Sequence, residues 1–492
     1  MNELLNSYRR LRGCKLIERE NQTRELIEAL KRNESIGVTV DQGGKDGIRV
    51  KFFGKEASMA TGALRLALKY GSVILPAYHA RISGPYCKVI IERPFELTKS
   101  LDTEKDLREN LERLIPLYEK NILRYPQEYM WSYKIWKYAR QKKILILSDG
   151  KAGHLRQSQA VAQLIKHAQE ANGSSVDIET HEIKFKSGIM KRFFSAASIL
   201  SGKYSCQGCL ICARRSLEQG VYSSLAGVNP DLVISCGSSL AALNYLLSRE
   251  NQARSVVIMR PSFLSTHRFD LVIMPRHDGP PKRRNVLVTE GALNLIDEGY
   301  LKEQSDKLLL RSPDIKVSGN IGFLVGGDSK YFKLSVDSLK EALEQLKRVC
   351  EDEHIDILTT TSRRTSKEIE GLIRTQLNGF PYAKLSVIAN DRNIPEAVGG
   401  ILGLSSVVVT TAESISMVSE ASSSARYVFV LKAGGLSGKH QRFLDNLRDN
   451  NYIYLVEVHE LGDKIKEVLR SKPPIKALKD REVVGEVVKR LL

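Results

Sequence analysis

The chain has 492 residues, of which 42% are hydrophobic, so it is expected to form about three globular domains rather than a disordered or fibrous protein. Its net charge of +18 favours nucleic acid, an anionic membrane face or phosphorylated substrates as partners, but without a zinc-finger or RNA-recognition signature the charge alone does not favour nucleic acid. No apolar run reaches the ~18 residues of a membrane span. The segment Met1–Ile17 is too polar for a secretory signal. The seven cysteines, an odd number, fit a reducing compartment better than a set of disulfides.

Residues 1–140 alternate short helical and strand patterns. Apolar residues at helical spacing predict helices at Glu20–Lys31 and Thr61–Lys69. Strands are predicted where β-branched and aromatic residues cluster: Ile36–Val40, Val50–Phe53, Ser72–Tyr78 and Cys87–Ile91. The pattern therefore indicates a small α/β domain.

Several sequence blocks of this domain recur in one known family. The segments VTVDQGG, KFFGKEASMATGALRLALKYGSVILP and RYPQEYMWSYKIWK resemble, in this order, the C-terminal half of the lipid A lauroyl/myristoyl acyltransferase family. The resemblance covers residues 20–140 and implies a partial α/β acyltransferase-like domain. The matching residues are Asp41, Gln42, Phe52, Phe53, Gly54, Thr61, Gly62, Pro76, Pro126, Gln127, Tyr129 and Trp131.

The catalytic motif of that family is missing from this domain. The resemblance implies a His-x4-Asp pair upstream of Asp41, in which histidine is the general base, but no histidine precedes Asp41. The only His-x4-Asp spacing in the chain, His440 and Asp445, falls far downstream in a predicted helix of another domain. We interpret residues 1–140 as a remnant that binds acyl chains or docks to another surface.

Two segments combine cationic side chains with aromatic or aliphatic ones. Arg124–Lys143 holds both tryptophans of the chain, and Lys184–Tyr204 holds lysines and an arginine beside phenylalanines and isoleucines. Such mixtures favour a lipid headgroup interface, although packing on the domain core explains either segment equally well. For Arg124–Lys143, stacking on nucleic acid bases is a third interpretation.

Three cysteines, Cys206, Cys209 and Cys212, follow in a C-x2-C-x2-C pattern. Thiolates at this spacing can ligate zinc or an iron–sulfur cluster, but no fourth ligand is evident nearby. A loop of reduced thiols is the favoured interpretation, and no metal site is predicted.

Residues 141–316 indicate a first Rossmann-like domain. Strand Lys143–Leu147, loop Ser148–His154 and a helix over residues 157–171 form an opening βα unit with a glycine-bearing loop. Asp149 or His154 is a candidate general base toward an acceptor hydroxyl; alternatively, Asp149 caps the loop and His154 makes only local hydrogen bonds. Further strands are predicted at Val176–His181, Leu232–Ser235, Ser255–Met259, Leu271–Met274 and Val286–Val288.

Residues 317–474 indicate a second Rossmann-like domain. Strand Asn320–Val325 leads into a loop whose glycines, hydroxyl and cation suit a diphosphate cradle: Gly326, Gly327, Asp328, Ser329 and Lys330. After a further predicted strand, Ile355–Thr359, come Arg363 and Arg364, which are candidates to clamp phosphate. Helices are predicted at Val336–Glu351 and Ser366–Leu377, and another strand at Leu385–Ile388.

The segment Ser406–Ala421 closes this domain with a buried strand that enters a helix. Ser414 and Ser416 stand at the turn, where free helix N–H groups favour an anion, and Glu420 is placed to accept hydrogen bonds from a ribose diol. An ordinary βα unit with serine caps is the alternative. Two α/β halves with such loops suggest the GT-B plan, with residues 475–492 as a helix that crosses back to the first half.

Six ordered blocks over residues 142–460 resemble the mitochondrial fission ELM-type family: SDGKAGHLRQ, FDLVIMPRHD, NVLVTEGALN, FLVGGDSKYFKLS, TTTSRRT and TTAESISMVSEA. The resemblance implies a GT-B glycosyltransferase-like fold and, for bacterial members, a role in envelope glycolipid synthesis. Glu413 stands where that family usually has aspartate. The motif residues carried over are Asp149, Gly150, Gly153, His154, Gln157, His277, Asp278, Gly326, Gly327, Asp328, Thr361, Arg363, Arg364, Ser414 and Glu420.

The sequence thus predicts an α/β protein with two Rossmann-like domains in GT-B arrangement after a partial acyltransferase-like domain. We expect a cytoplasmic protein, peripheral on the inner face of the plasma membrane, that transfers sugar from a nucleotide sugar to a lipid A-type glycolipid. Neither a cofactor nor nucleic acid is expected. A lipid A-type acyltransferase and a non-catalytic membrane scaffold are the alternatives.

Overall fold

The computed structural model describes residues 7, 15–17, 22–41, 43–131, 135–200, 210–261, 264–329 and 332–491. The chain forms two compact units, Met1–Gln141 and Lys142–Leu492. None of the described helices combines the length and apolar composition needed to cross a bilayer.

The first unit is built from two β-hairpins and a long amphipathic helix. Its elements are α1 (Gln22–Lys31), β1 (Gly43–Phe52), β2 (Lys55–Met59), α2 (Gly62–Tyr70), β3 (Ala77–Ser83), β4 (Tyr86–Ile91) and α3 (Thr103–Arg124). Strands β1 and β2 pair antiparallel, as do β3 and β4. Leucines at helical spacing on α3 bury one face of that helix against Phe52 and Met59, so a single small core holds β1, β2, α2 and α3 together.

Several predicted elements of this unit are wrong. The segment Ile36–Val40 has no regular structure, although its β-branched residues predict a strand. Strand β1 begins at Gly43 rather than Val50, and the strand predicted at Ser72–Tyr78 instead covers Ala77–Ser83. A β-branched run becomes a strand only where a partner strand is available, and local sequence does not report the partner.

The first half of the second unit is a parallel sheet with the strand order β10-β9-β8-β7-β5-β6 in the described part of the chain. Parallel pairs join β5, β7, β8, β9 and β10. Its elements are β5 (Gln141–Ser148), α4 (Ala152–Ala171), β6 (Ser175–Glu182), α5 (Gly188–Leu200), α6 (Ile211–Ser216), α7 (Gln219–Ala226), β7 (Leu232–Cys236), α8 (Ser238–Glu250), β8 (Arg254–Ile258), β9 (Leu271–Pro275) and β10 (Val286–Thr289).

The second half is another parallel sheet, with the order β13-β12-β11-β14-β15-β16 among the residues described. This is the strand order 3-2-1-4-5-6 of a Rossmann fold. Its elements are α9 (Glu298–Arg311), β11 (Asn320–Val325), α10 (Val336–Glu353), β12 (Ile357–Thr361), α11 (Lys367–Leu377), β13 (Ala383–Val387), α12 (Ala397–Leu404), β14 (Ser405–Thr411), α13 (Ile415–Ser423), β15 (Tyr427–Leu431), α14 (Gly438–Asp449), β16 (Tyr454–Val456) and α15 (Leu461–Ser471).

The two sheets and their covering helices give the α/β fold that the sequence predicts, two Rossmann-like domains in GT-B arrangement after an acyltransferase-like unit. One boundary differs. Helix α9 lies before residue 316, in the part assigned above to the first half, but Leu301 and Leu308 are buried in the core of the second half. The apolar face of α9 packs on α12, and this packing decides the half to which it belongs.

The C-terminal helix α16 (Asp480–Val488) packs on the first half of the unit. Val484 and Val488 are fully buried in the same cluster as Ile144 of β5 and Val161 of α4. The carboxylate of Asp480 accepts hydrogen bonds from the backbone N–H groups of Glu290 and Gly291, at 2.9 and 2.8 Å. One buried carboxylate therefore joins residues that are 190 positions apart in the chain.

Replacing Asp480 with alanine should lower the free energy of unfolding by about 2 kcal/mol, because two buried N–H groups lose their acceptor. Urea titration followed by circular dichroism measures the change. Glu482→Ala on the same helix removes an exposed carboxylate and is the matched control, which should unfold within about 0.5 kcal/mol of the parent. Equal stability of Asp480→Ala and the control would contradict this role.

Candidate active site

The candidate residues of both halves follow the carboxyl ends of parallel strands, next to the points where strand order reverses. In the first sheet this point lies between β5 and β7, which lead into Asp149 and Gly237. In the second sheet it lies between β11 and β14, which lead into Gly326 and Glu413. Crevices at such switch points are the usual ligand sites of open α/β sheets.

Asp149 and His154 form a hydrogen-bonded pair at the β5–α4 loop. The Nδ1 atom of His154 lies 3.1 and 3.0 Å from the two carboxylate oxygens of Asp149. The imidazole also lies against Gly237, where a β-carbon would approach its Cε1 atom to 2.9 Å. Ser239 donates to Asp149 at 3.4 Å, and Lys151 forms an ion pair with it at 3.2 Å. The hydrogen bond to Asp149 thus orients the imidazole of His154, and the lack of a side chain on Gly237 leaves room for the ring.

The ionisation of this pair favours a neutral imidazole beside a charged carboxylate. Burial opposes the charge on Asp149, but His154 and Lys151 outweigh it and lower the pKa of Asp149. Burial lowers the pKa of His154, an effect that Asp149 opposes and the charge of Lys151 reinforces. Because the charged carboxylate accepts a hydrogen bond from Nδ1–H, Nε2 is left as the basic atom of the ring.

The two halves of the unit make contact next to this pair. A β-carbon on Gly153, in the first turn of α4, would lie 3.5 Å from Oγ of Ser416 in the first turn of α13. Asp278, after β9, forms an ion pair with Lys439 at the start of α14, at 2.6 Å. Lys439 is also close enough to His154 to lower the pKa of its imidazole. One cleft therefore contains the Asp149–His154 pair and the N-terminal end of α13.

The N-terminal ends of α4 and α13 face each other in this cleft without side-chain caps. Lys151 and Ser414 occupy the cap positions, and neither side chain accepts a hydrogen bond from its helix. The first N–H groups of a helix carry a partial positive charge and bind anions. With Lys151 and Lys439 nearby, the cleft offers both cations and open N–H groups to an anionic ligand.

The glycine loop after β11 differs from the predicted diphosphate cradle, because its backbone donors are already used. Gly326 donates to Thr411 at 2.9 Å and Gly327 to Glu413 at 2.7 Å. The N–H groups of Asp328 and Ser329 donate to the carbonyl oxygens of Arg364 and Phe332, and Oδ1 of Asp328 accepts from Leu334. Gly327 is needed for close packing against the backbone of Arg364 and Thr365, and Gly326 for close packing against the side chains of Thr411 and Glu413. Lys330 lies outside the described residues.

Arg363 and Arg364 are both exposed at the β12–α11 loop, and no described carboxylate forms an ion pair with either. Arg364 lies near Glu413 and His440, since its charge lowers the pKa of both groups. The pKa of Glu413 is nevertheless raised, because burial outweighs its hydrogen bonds and the charge of Arg364. Arg364 therefore lies beside Glu413 and His440, whereas no described contact places Arg363 there. That either arginine binds phosphate stays a prediction.

Glu420, the predicted ribose ligand, is buried and already paired across the cleft. Its Oε1 atom lies 3.4 Å from Nη1 of Arg156, which comes from α4 in the other half. Burial raises the pKa of Glu420, and the Arg156 charge opposes this rise. A ribose can reach this carboxylate only if Arg156 shares or gives up its contact, so the role of Glu420 stays a prediction.

His277 and Asp278 lie at the same sheet edge but differ in their surroundings. The Asp278 carboxylate pairs with Lys439, whereas the His277 ring is buried edge-on against Phe443 of α14, with a centroid distance of 5.1 Å. Burial, with the charge of Lys439, lowers the pKa of His277 to about 4. His277 is therefore a neutral packing residue where the two halves meet rather than a charged ligand.

Stability should fall between pH 6.5 and 4 because of His277. Its folded-state pKa lies below the unfolded value of 6.5, so the unfolded chain binds the proton first, and the stability present at pH 7 is lost as the pH falls. We expect the parent to lose about 2 kcal/mol more than His277→Asn between pH 7 and 4.5 in urea unfolding. The exposed His267→Asn variant is the control and should follow the parent. A parent and His277→Asn variant with the same pH dependence would contradict the assignment.

Among the described residues of the first unit, the structure shows no hydrogen-bonded pair of a histidine and a carboxylate. Asp41 is half-buried, and Gln42 lies outside the described residues. His440 and Asp445, the only His-x4-Asp spacing, make separate contacts, His440 with Ser437 at 2.7 Å and Asp445 with Arg448 at 3.0 Å. His440 and Asp445 therefore do not contact each other as a pair within α14.

The aromatic segment after α3 packs partly on its own unit. Trp136 donates to the carbonyl oxygen of Phe52 at 3.3 Å, and Tyr129 contacts Trp131 edge-on at a centroid distance of 4.8 Å. Trp131 remains 48% exposed. Of the predicted thiol cluster, Cys206 and Cys209 lie outside the described residues, and Cys212 is half-buried on α6.

Sequence reasoning did not select four residues that the structure places beside the Asp149–His154 pair or across the cleft: Lys151, Arg156, Ser239 and Lys439. Arg156 lies inside the SDGKAGHLRQ block, and Ser239 lies two residues after Gly237 in the turn that follows β7. Both are therefore next to sequence features that indicate a ligand site. Lys439 begins a helix in the other half, and nothing in its local sequence indicates a partner at Asp278. A separate groove beside the edge strand β13, lined by Arg374, Ser386 and others, contains none of the candidate residues.

The two parallel sheets and the cleft between the halves give the chain a GT-B fold. Residues 152–491 match the family model described as mitochondrial fission ELM1, and the chain belongs to that family. Residues 1–138 match the model for bacterial lipid A biosynthesis acyltransferase. Both recognised resemblances are thereby confirmed.

Two curated relatives illustrate the family. An uncharacterized protein, RP120, from Rickettsia prowazekii is 23% identical over 309 residues, which cover 56% of this chain and 83% of the relative. The mitochondrial fission protein ELM1 of Arabidopsis thaliana is 26% identical over 254 residues, 46% of this chain and 56% of the plant protein. The chain thus spans little more than half the length of the plant relative.

Solved structures with a related fold share little sequence with the chain. A UDP-GlcNAc 2-epimerase from Methanocaldococcus jannaschii is 14% identical with a TM-score of 0.45, covering 71% of this chain and 98% of the epimerase. The ADP-heptose LPS heptosyltransferase II of E. coli is 13% identical with a TM-score of 0.36, covering 67% and 99%. Strand order and pairing, rather than these likenesses, define the fold of this chain.

Proposed function

We propose that the chain is a glycosyltransferase that moves a sugar from a nucleotide sugar to a hydroxyl group of a lipid A-type or related envelope glycolipid. The observation that carries the proposal is the Asp149–His154 pair, which faces the uncapped N-terminal end of α13 across one cleft. A base on one side and an anion site on the other are the two requirements of glycosyl transfer to a hydroxyl.

In this reaction the first half removes the proton of the acceptor, and groups from both halves stabilise the leaving diphosphate. Nε2 of His154 accepts the proton of the acceptor hydroxyl while its oxygen attacks the anomeric carbon of the donor. The bond from that carbon to the diphosphate breaks, and negative charge develops on the leaving diphosphate. The helix ends with Lys151 and Lys439, joined by Arg364, stabilise this charge without requiring a metal ion.

The acyltransferase-like unit supports a lipid acceptor rather than a soluble one. Its family model concerns lipid A biosynthesis, and the unit lacks a described catalytic pair, so we assign it a role in holding the lipid rather than in acyl transfer. The positive charge of the chain is consistent with work at an anionic membrane, on the cytoplasmic face where nucleotide sugars are made.

A transfer assay with the purified full chain tests the proposal. Membrane lipids extracted from a Gram-negative bacterium are incubated with UDP-GlcNAc and UDP-glucose, each labelled in the sugar, and the label is measured in the lipid phase. The expected result is lipid labelling with at least one donor, strongly reduced in His154→Ala. Labelling that is unchanged in both His154→Ala and Glu420→Gln would overturn the assignment.

Donor binding is measured separately. A nucleotide sugar at 100 times its dissociation constant should stabilise the fold by ~2.7 kcal/mol in thermal unfolding. Stabilisation by no member of a panel of UDP-, ADP- and GDP-sugars, together with no lipid labelling, would favour the non-catalytic scaffold.

A further inference from the structure

The segment Ile183–Leu217 is unusually basic for a part of a folded domain. It contains seven lysine and arginine residues and no aspartate or glutamate. In the described part of this segment, Lys184, Lys186, Arg192, Arg214 and Arg215 are exposed. A surface with this charge attracts anions and repels other basic surfaces.

Large apolar side chains are exposed among these cations. On α5, Ile189 is 75% exposed, Phe193 55% and Ile199 42%, and Ile211 at the start of α6 is 56% exposed. Ile189 and Phe193 are four residues apart and so lie on the same face of α5. The opposite face is anchored in the domain by the buried Phe194 and Ser198. The outward apolar side chains are therefore not part of the core.

We infer that α5 and α6 form a docking surface for an anionic lipid bilayer, which we call the α5–α6 surface (Ile189, Arg192, Phe193, Ile199, Ile211 and Arg215). Aliphatic and aromatic side chains enter the boundary between headgroups and acyl chains, while the surrounding cations pair with anionic headgroups. Nucleic acid explains the cations but not the exposed isoleucines, which do not stack on bases. The combination therefore favours lipid.

The location of this surface connects it to the cleft. The N–H group of Ile183 donates to the carbonyl oxygen of Ser148 at 2.8 Å, immediately before Asp149. Oε1 of Glu182 would lie 3.8 Å from a β-carbon on Gly150. Helix α5 begins six residues after Glu182, at the same edge of the sheet as the loop that carries Asp149 and His154. A bilayer bound to the α5–α6 surface brings a lipid hydroxyl toward the side of the cleft that holds His154.

The docking surface is independent of sugar transfer and is tested without it. The full chain is mixed with vesicles of phosphatidylcholine alone, or with vesicles in which about a third of the lipid is the anionic phosphatidylglycerol. Binding is measured by flotation, and hydrogen exchange by mass spectrometry shows which peptides are protected. We expect binding to the anionic vesicles only, weakened by salt, with slower exchange in peptides that cover α5 and α6.

Matched variants assign the binding to this surface. Ile189→Ser with Phe193→Ser should reduce the bound fraction at least tenfold, and Arg192→Glu with Arg215→Glu should abolish the preference for anionic lipid. Leu310→Ser removes an apolar side chain that is 84% exposed on α9 and should change nothing. Circular dichroism melts confirm that each variant is folded.

Three results would overturn the inference. The first is parental vesicle binding by Ile189→Ser with Phe193→Ser, and the second is vesicle binding without protection of α5. The third is protection of α5 that depends on protein concentration without vesicles, because it would identify a second copy of the chain as the occupant. Failure of sugar transfer with intact vesicle binding would leave the surface standing and reject only the proposed function.

Discussion

Replacement of His154 by alanine is expected to lower the turnover number for sugar transfer by a factor of about 10²–10⁴, the usual contribution of a positioned general base. Donor binding should persist, because the imidazole is assigned to the acceptor hydroxyl and not to the diphosphate. Initial rates at saturating donor, with donor affinity measured by thermal unfolding, separate the two effects. A variant that loses donor affinity but keeps its turnover number would contradict the assigned role.

Asp149→Asn is the companion variant, because it keeps the shape of the partner and removes its charge. The Asp149 carboxylate raises the pKa of His154 against the effect of burial. Its removal should therefore shift the acid limb of the pH–rate profile to lower pH and reduce the maximal rate. An acid limb that moves to higher pH would show that another group is the base.

Gly327→Ala is expected to be the most destabilising single-methyl addition in the cleft, by about 3 kcal/mol or more. A β-carbon at this position would lie 2.2 Å from the carbonyl carbon of Arg364 and 2.4 Å from the nitrogen of Thr365. Both are backbone atoms that cannot rotate away, so the β11 and β12 loops must separate. Urea unfolding measures the loss, and binding of a donor sugar should weaken in parallel.

The matched control is Gly371→Ala in the middle of α11. Outside the backbone of its own helix, no heavy atom lies within 4 Å of a β-carbon built there, and the residue is exposed. Alanine should stabilise this helix by about 0.5–1 kcal/mol, because it loses less backbone entropy than glycine. A Gly327→Ala variant as stable as Gly371→Ala would mean that the close approach of the two loops is not required.

The Rossmann-like halves are the part of the fold that the sequence predicts well. Strand β11 covers Asn320–Val325 as predicted, and β14 extends the predicted Val407–Val409 by two residues on each side. Strands that are buried on both faces of a parallel sheet have continuous apolar sequences, so the local sequence is enough to locate them. Asp149 and His154 could be predicted as a pair for a local reason as well, because both follow β5 within six residues.

Contacts between the halves could not be predicted in the same way. Arg156 and Glu420 are 264 residues apart in the chain, and the Asp278–Lys439 ion pair also joins different sheets. The docking of two sheets depends on shape and charge across the cleft, which local spacing does not record. The prediction of a diphosphate cradle at the glycine loop failed for a related reason. The N–H groups of Gly326 and Gly327 donate hydrogen bonds to Thr411 and Glu413, which are distant in sequence, rather than to a phosphate.

Hydrogen exchange with a saturating nucleotide sugar is the most direct test of the cleft as the donor site. Two segments should exchange more slowly with the same dependence on ligand concentration: residues 150–156 at the start of α4 and residues 412–418 at the start of α13. Protection in both halves would place the donor between the facing sheets. Protection of one half alone, or of the groove beside β13 instead, would contradict the assignment of this cleft.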